Sequence, residues 1–512
     1  MIVIELTASI DAAGTVQTFY VSTDQFVTGT ADTPASIAFD PRLIDPGSIG
    51  THIFSDGRTG GATKLETGEI VLANTDGVLD AWLNYSFDGR AVTIRSGEDG
   101  AAYPGGFTTV LIGTVESVEA IWEKIIIRLR DKQWRLQLPA LTTRYAGNNS
   151  LPNGLEGTPS DLGGKVKPKT YGKVFNVSPA FVNTSKLTYQ VSNGAVADIP
   201  AVYDSGALLT KGADYATSAL LQAAAPAAGT YITCFAEGYF RLGTFLVGQI
   251  TADVTQGAAG ANRTPAQILN QLALDAGFSA GEISAADVTA LDAVAAQVVG
   301  IYLSDESAFS QAMDQIANSV GAWYGFDASG IMRMGQLLTP SGTAVATLYD
   351  YDILNGFERR PPKDQGIPVW RAALGHTKIW TVQTSGLAGA VTAPARAYLE
   401  EQYRRVTSED AAIKTQWLLA GTIGDDVAAN TLLTSAADAA TEAARRLALY
   451  KVRRDLFDVP VSLDLIAANS LKLGDVVAVQ LTRFGLDAGK SFRLIGIRLE
   501  LSAGRAILTL WG

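Results

Sequence analysis

The sequence has 512 residues and a formal net charge of −11, from 40 basic and 51 acidic side chains. Hydrophobic residues make up 47% of the chain and charged residues 18%, which excludes a disordered acidic protein and a basic protein that binds nucleic acid through its phosphates. One hydrophobic core does not grow to this size, so the sequence predicts several domains.

The sequence predicts a protein that is made in the cytoplasm and does not insert stably into a membrane. Its single cysteine, Cys234, cannot form an intrachain disulfide, and the first residues lack the basic region of a signal peptide. The longest weakly polar stretch, residues 216–235, contains Pro226 and Gly229 and would span a bilayer poorly.

The N-terminal part of the chain, residues 1–145, predicts β structure. In the segment 108–138, Ile127 and Leu129 are each followed by an arginine, so one face of the strand is apolar and the other polar. Asp-Gly pairs, which favour tight turns, recur at 56–57, 76–77, 88–89 and 99–100. This spacing is typical of a small barrel or sandwich, and we assign residues 1–147 to a first β-barrel domain.

A loop and a second β unit follow. Residues 148–169 are dense in glycine, proline, asparagine and serine and lack apolar periodicity, which predicts a linker. Strand-like segments return between Tyr171 and Ile250, with a run near Ser218 that favours a helix. We assign residues 148–255 to a mainly β peripheral domain.

Three helices are predicted in the next region. Each begins after a capping residue and ends before a glycine: Thr264 to Gly277, Ser284 to Gly300, and Ser304 to Gly321. A β-hairpin that turns at residues 327–330 follows them. Together they form a predicted helical domain with a hairpin, residues 256–345.

The last region mixes both types of element. Residues 395–419 and 435–454 predict helices, and the cations that end the second helix suit its C-terminus. Four strands are predicted after them, in the segments 457–465, 475–481, 491–501 and 505–511. The apolar end at Trp511 is expected to be tied into a sheet. We assign residues 346–512 to a second β-barrel domain with helical insertions.

One internal similarity connects the two predicted barrels. Residues 109–129 and 492–510 share Leu-Ile-Gly, a variable turn and a returning apolar strand. We interpret them as two copies of one barrel hairpin, although any two hairpins look alike over such a length. The predicted fold class is α+β and mainly β, with two related small β-barrels and a helical insertion domain.

Residues with catalytic potential are few. The two histidines, His52 and His376, are far apart and have no second His or Cys at metal-ligand spacing. Three carboxylate pairs are present, but glycoside hydrolysis requires two carboxylates facing a sugar, and the sequence does not place any of them across a cleft: Asp350 with Asp352, Glu400 with Glu401, and Asp425 with Asp426. We expect no catalytic, cofactor-binding or metal-binding residues and no cofactor.

Two further groups of residues could bind a ligand. Trp370 and Trp380 flank a predicted hairpin and could stack on a sugar, but we favour a core position. Four lysines form a basic stretch that we expect to contact an acidic neighbouring subunit rather than nucleic acid: Lys165, Lys167, Lys169 and Lys173. An acidic chain disfavours specific DNA binding, and like charge lets DNA pass without being held.

Three segments carry a resemblance to a known family. They begin with KVKPKTYGKVFNVSPAFVNTSKLTYQVS, ARAYLEEQYRRVTSEDAAIKTQWLLA and ARRLALYKVRRDLFDVPVSLDL, at residues 165, 395 and 444. These segments resemble central baseplate hub or tail-tip proteins of long-tailed bacteriophages, in particular those with non-contractile tails. The resemblance covers residues 165–512, and residues 1–145 match only as an expected barrel.

The resemblance implies a structural role in the virion tail baseplate or tip. It implies a homotrimer whose tube-type barrels, two per chain, form a six-part ring between the hexameric tail tube and a threefold tip. The implied partners are the distal tail or tail tube protein, the tape measure protein, and spike or fibre proteins. DNA would pass through the ring without being specifically bound. The alternative is a receptor-binding or glycan-binding tail protein that could also cleave glycan.

Overall fold

The computed structural model describes residues 1–53, 61–245, 248–360, 366–424 and 429–512. The fold is α+β and mainly β, with several sheets that pack on several clusters of buried side chains. No helix in these ranges is both long enough and apolar enough to span a membrane.

The N-terminal region forms a seven-stranded sheet, which we call the first half-barrel. Its strand order is β2-β1-β10-β11-β12-β9-β5, and short 3₁₀ helices lie at Val78–Asn84 and Lys132–Gln137. Ile127 and Leu129 are buried while Arg128 and Arg130 are exposed, which confirms the predicted alternation. The strands of this region are β1 (Ile2–Ser9), β2 (Val16–Ser22), β3 (Phe26–Val27), β4 (Ala38–Phe39), β5 (Leu43–Asp45), β6 (Ser48–His52), β7 (Gly61–Ala62), β8 (Lys64–Thr67), β9 (Ile70–Ala73), β10 (Ala91–Gly97), β11 (Phe107–Ile121) and β12 (Lys124–Arg130).

The second region contains two sheets and one short helix. The predicted linker is a loop held against this region, because the Asn149 side chain and the Gly157 N–H both donate to the Val182 carbonyl, at 2.7 and 3.1 Å. The elements are β13 (Lys169–Val177), β14 (Ala180–Asn183), β15 (Thr188–Gln190), β16 (Asp198–Asp204), β17 (Ala207–Leu208), β18 (Thr210–Asp214), α1 (Ser218–Ala223), β19 (Thr230–Cys234), β20 (Tyr239–Leu242) and β21 (Ile250–Thr255).

The third region has the predicted three helices and hairpin, with two boundaries changed. Thr264 and Ser284 cap their helices as expected, each accepting a backbone N–H at the third helical position. Gly300 does not end a helix and Ser304 does not start one. The elements are α2 (Pro265–Asp275), α3 (Ala285–Val294), β22 (Gly300–Leu303), α4 (Phe309–Ser319), β23 (Ala322–Phe326) and β24 (Met332–Gln336).

The boundaries differ because residues 300–303 form a fully buried strand. β22 pairs antiparallel with β13, with Tyr171 opposite Ile301, and this non-local pairing overrides the local capping signal. The helix before it therefore stops at Val294, and the next begins at Phe309 after Ala308.

The last region forms a second sheet of half-barrel shape, with the strand order β25-β32-β33-β34-β31-β26, which we call the second half-barrel. Trp511 lies in its last strand and pairs with Leu456 and Arg493, as expected for a tied terminus. The elements are β25 (Ala346–Tyr349), β26 (Glu358–Arg360), β27 (Val369–His376), α5 (Ala393–Glu400), β28 (Arg404–Glu409), α6 (Ala411–Gln416), β29 (Gly421–Ile423), β30 (Ala429–Asn430), α7 (Ala436–Tyr450), β31 (Leu456–Ser462), α8 (Leu463–Asn469), β32 (Val476–Gln480), β33 (Lys490–Glu500) and β34 (Arg505–Trp511).

Two predictions in this region were wrong. The single helix predicted over 395–419 is two short helices separated by β28, which pairs antiparallel with β27, with Val406 opposite Leu374. The strand predicted over 457–465 ends at Ser462, whose side chain accepts the Leu465 N–H and caps α8. Strand pairing decides the structure in the first place and a side-chain cap decides it in the second. Sequence periodicity indicates neither of them.

The two half-barrels share one topology. In each, a strand is followed by a short helix and a three-strand meander, whose last strand returns to pair with the first. In the first half-barrel these elements are β9, the 3₁₀ helix at 78–84, and β10 to β12. In the second they are β31, α8, and β32 to β34. Both meanders cover a core of aliphatic side chains. The duplication predicted from the hairpins therefore extends to the surrounding sheet.

Backbone hydrogen bonds show which residue of the first half-barrel is equivalent to which residue of the second. Val115 donates its N–H to the carbonyl of Arg90 and accepts the N–H of Gly89, both at 2.9 Å. Leu494 donates to Asp475 at 2.9 Å and accepts from Gly474 at 2.8 Å.

The β-bulges agree with this equivalence. One extra residue, Glu116, follows Val115 in the pairing of β11 with β12, and Ile495 follows Leu494 in the pairing of β33 with β34. The Leu-Ile-Gly tripeptides at 111–113 and 494–496 are thus not equivalent, because the predicted alignment is displaced by four residues.

Candidate functional site

The two half-barrels are joined by a continuous β ladder. β6, which leaves the first half-barrel between β5 and β9, pairs antiparallel with β33, placing His52 opposite Gly496 and Ile49 opposite Leu499. The Ile53 N–H donates to the Ile495 carbonyl at 2.8 Å and extends the ladder by one bond. A strand that leaves the first half-barrel therefore covers the edge of the meander in the second.

His52 is part of this junction. A Cβ atom at Gly496 would overlap the His52 imidazole ring, so the glycine allows the two strands to approach. Ile49, on the same strand, is 2% exposed and packs in the core of the first half-barrel. The geometry gives His52 a position between two sheets.

The chain between β5 and β9 also contacts the helical region. β7 pairs in parallel with β23, with Ala62 beside Tyr324. Asp314 on α4 accepts the Ala62 N–H at 3.0 Å and the Tyr324 hydroxyl at 2.8 Å. Burial and the Asp314 carboxylate raise the pKa of Tyr324 well above its ordinary value, so the phenol stays a hydrogen-bond donor. The segment from β6 to β8 thus contacts three parts of the chain: the first half-barrel, the second half-barrel and the helical region.

A cavity of about 460 Å³ lies where β6, the β23–β24 hairpin and β33 meet. Its charged lining includes Arg333 and Asp287, which form an ion pair at 2.5 Å, and Arg493, which donates to the Gly474 carbonyl at 2.7 Å. The Trp323 indole nitrogen, also at this cavity, is buried without an acceptor among the described residues.

A buried charge cluster attaches α7 to the helical region. The Glu442 side chain is fully buried and accepts bonds from Arg445 and Arg446, at 2.7 and 2.6 Å. Arg446 also donates to the Asn318 carbonyl at 2.5 Å and Arg445 to the Val320 carbonyl at 3.0 Å. Burial acts to raise the pKa of Glu442, but the two guanidinium groups outweigh it and lower the pKa.

The structure separates the other residues singled out in the sequence. His376 is buried at the end of β27, where burial and Arg404 lower its pKa, and its Nδ1 lies 2.8 Å from the Thr377 hydroxyl. His52 lies in a different sheet, so the two histidines do not form one site.

Two of the three carboxylate pairs lie on or near the surface. Asp350 and Asp352 form a 3₁₀ turn in which Asp352 accepts the Tyr349 N–H at 2.9 Å. Glu400 and Glu401 are exposed at the end of α5. The third pair, Asp425 and Asp426, lies outside the described residues. No cluster of three or more His, Cys, Asp or Glu side chains suited to a metal ion occurs in the described part of the chain.

The tryptophans do not flank a hairpin. Trp370 is the second residue of β27 and Trp380 lies four residues after its end, and the antiparallel partner β28 comes much later in the chain. Trp380 packs against two of the core clusters, and the Lys378 ammonium lies 3.7 Å from its ring centroid. Lys414 lies 4.4 Å from the ring centroid of Trp370. Each of the two indole rings thus has a cation from this chain over its face.

Two of the four lysines in the basic stretch form ion pairs within the chain. Lys167 pairs with Glu156 at 2.5 Å and Lys169 with Asp275 at 2.7 Å. The Lys173 ammonium lies 5.1 Å from the ring centroid of Phe175. The expected contact of the basic stretch with an acidic neighbouring subunit stays a prediction.

The junction itself was missed from the sequence. β6 is the segment SIGTH, which is too short and too polar to show a strand period. Gly50 lies between Arg498 and Glu66, but a Cβ atom there would make ordinary contacts of 3.5 Å with each, so this glycine is not a signal for the junction. A partner more than 400 residues away is not indicated by any local pattern.

No family model matches this chain, and no curated protein matches it. Several solved structures are similar. A tail protein from Neisseria meningitidis MC58 is 11% identical, with 91% of each chain covered and a TM-score of 0.41. The 43 kDa tail protein of prophage MuSo2 from Shewanella oneidensis is 12% identical, with 99% of this chain and 98% of that chain covered and a TM-score of 0.41.

A chain of the native gene transfer agent virion is 16% identical, with 68% of this chain and 84% of that chain covered and a TM-score of 0.43. These three solved structures are tail and virion proteins. At these TM-scores the likeness carries no argument about the role of this chain, which rests on its own residues.

Proposed function

We propose that this chain is a structural protein of a phage tail, a trimeric hub that joins a hexameric tail tube to a threefold tip. The observation that carries the proposal is the pair of half-barrels with one topology and one bulge position. Two copies per chain and three chains provide six equivalent units, which is the number that a sixfold tube requires.

The way the copies are joined supports a ring. β6 of the first copy contacts the β33 edge of the second, so different surfaces of the two copies meet. Such a head-to-tail contact generates a closed ring when it repeats with the appropriate rotation. Closure also covers sheet edges that would otherwise be exposed to aggregation.

The remaining features of the proposal follow from this role. The net charge of −11 suits a channel through which DNA passes without being held. The partners are the distal tail or tube protein, the tape measure protein, and spike or fibre proteins. The protein has no chemistry of its own and resides in the virion after synthesis in the host cytoplasm.

We also propose four domains, at residues 1–147, 148–255, 256–345 and 346–512. Three clusters of buried side chains lie mainly within 1–147, 148–255 and 346–512 and support the division, while the cluster of the helical region also includes residues of the other three ranges.

Electron microscopy of the purified protein tests this proposal. Averaged end-on views are expected to show six lobes around a central opening, with three additional peripheral masses. Particles without a ring, both alone and with a purified tail tube protein, would contradict the proposal.

A further inference from the structure

The strands β11 and β33 are equivalent, yet they differ in how much of their edge is covered. Residues 496–500 of β33 pair with β34 on one side and with β6 on the other. The equivalent residues of β11, 117–121, pair with β12 on one side. On the other side, no strand in the described part of the chain pairs with them.

The uncovered edge of β11 is apolar near its end. Ala120 is exposed, Ile121 is 57% exposed, and Trp122 at the hairpin tip is 94% exposed. In β33 the counterparts of residues 120 and 121, Leu499 and Glu500, are half-buried. An exposed, partly apolar strand edge is a template for the addition of a strand from another chain.

We propose that a second copy of this chain adds a strand to residues 117–121 of β11, as β6 adds to β33 within the chain. The inference rests on the proposed ring, because it identifies the contact that joins one chain to the next. Within each chain, a strand that leaves the first half-barrel covers the β33 edge of the second. Between chains, a strand of the second half-barrel covers the β11 edge of the first.

The internal repeat also indicates the donor strand. Ile70 and Val459 are equivalent because each pairs with the equivalent residue of the returning strand, Ile127 and Leu508. Counting back three residues, from β9 through Gly68 and Glu69 to the end of β8 in one copy and along β31 in the other, makes Thr67 equivalent to Leu456. The pairing register is unchanged across this break, since Asp45 lies opposite Val71 and Ile49 opposite Thr67.

Ile49 lies opposite Thr67, and Arg360 lies opposite Leu456. Arg360 therefore holds the position that Ile49 holds in β6, and β26 is the donor. β26 is the last strand of its sheet, and its three residues are exposed.

Charges on the two edges are complementary. The exposed residues of the β11 edge include Glu116 and Glu119, and β26 carries Arg359 and Arg360. Within the chain these side chains already have ion-pair partners: Arg359 pairs with Asp455 at 2.6 Å, Arg360 with Asp458, Glu119 with Arg128 and Glu116 with Arg130. Opposite charges on neighbouring strands favour one register of addition.

The backbone of β11 also faces outward at the required residues. The Ile495 carbonyl of β33 accepts the Ile53 N–H, so alternation places the polar groups of Ile497 and Leu499 toward β6. Their counterparts in β11 are Val118 and Ala120. Ile49 lies opposite Leu499 within the chain. The same register places Ala120 opposite Arg360 of the second copy.

Disulfide trapping tests the pairing directly. One sample carries Ala120→Cys and the other Arg360→Cys, and the two are mixed and oxidised. A covalent dimer on a non-reducing gel is expected from the mixture but from neither variant alone, because the native Cys234 is buried. The pair Ile49→Cys with Leu499→Cys in one chain is the matched control, which is expected to form an intrachain disulfide.

A second variant separates this inference from the proposed function. Ala120→Pro removes an outward N–H without removing a bond to β12, and Ala120→Ser keeps that N–H. The proline variant is expected to require at least tenfold more protein to form the trimer, whereas the serine variant behaves as wild type. Circular dichroism checks that both are folded.

Each outcome decides the inference. If the wild type is trimeric but the mixed cysteines do not link and the proline variant assembles normally, the chains meet elsewhere. The inference then fails while the proposed hub stands. If the wild type stays monomeric and no disulfide forms, both fail.

Discussion

Val115 of the first half-barrel and Leu494 of the second hold the same position in equivalent strands. Each donates its N–H to the residue after a glycine, accepts the N–H of that glycine, and precedes a one-residue bulge. The glycines, Gly89 and Gly474, both have positive φ, of 70° and 89°. A repeat that preserves a bulge and its bracketing glycine preserves backbone geometry even where side chains have diverged.

The first prediction concerns these glycines. Gly89→Ala and Gly474→Ala are each expected to lower the free energy of unfolding by about 1 to 2 kcal/mol, because an L residue is strained at positive φ. Neither new methyl group meets an atom closer than 3.6 Å, so the cost is conformational. Urea denaturation measures it, with Gly389→Ala as the control, since no atom lies within 4 Å of that Cβ position. Loss of stability no larger than in the control would contradict the equivalence.

The second prediction tests the contact between β6 and β33. Gly496→Ala places a methyl group against the His52 ring and is expected to cost about 1 to 3 kcal/mol of stability. In a His52→Ala background the same substitution is expected to cost less, because the ring is gone. A double-mutant cycle by thermal unfolding measures the difference. Strictly additive effects would mean that the two strands do not approach as described.

The third prediction concerns the buried cluster on α7. Glu442→Ala leaves Arg446, whose side chain is 4% exposed, without its carboxylate, and is expected to cost about 3 to 5 kcal/mol. Thr441→Ala, on the exposed face of the same helix, is the control and is expected to change stability by less than about 0.5 kcal/mol. Chemical denaturation of both variants checks the contrast, and equal effects would contradict the assigned burial.

The fourth prediction concerns pH. Lys132 lies 2.9 Å from Glu282, and its hydrogen bond, with the Ser279 N–H, lowers the pKa of Glu282 from 4.5 to about 2. The pair therefore contributes stability above pH 4.5, and this contribution is lost as the pH falls toward 2. The Tm difference between wild type and Lys132→Met is expected to shrink across this range.

Glu282→Gln is the control for that experiment. With no carboxylate to titrate, the Tm difference caused by Lys132→Met is expected to stay constant between pH 4.5 and 2. A wild-type difference that also stays constant would show that the ion pair does not contribute to stability.

Local signals predicted local structure well. Thr264, Ser284 and Ser435 cap helices because a short polar side chain next to an apolar helical period is sufficient to specify a helix start. Gly277 and Gly321 follow helix ends with positive φ for the same kind of local reason.

Long-range pairing explains the errors. β22 and β28 were predicted as helix ends or helix interior because their strand character depends on partners that sequence periodicity does not report. The duplication was recognised, but its register was wrong by four residues, since the tripeptide Leu-Ile-Gly was matched without knowledge of the bulge. The junction made by β6 was missed because five residues carry too little pattern.

The mass of the purified protein in solution shows whether three chains assemble. Light scattering over a range of concentrations is expected to approach three times the 53.9 kDa chain mass, because three chains with two half-barrels each close a ring of six. A mass that stays at that of one chain at every concentration, with and without a tail tube protein, would contradict the account.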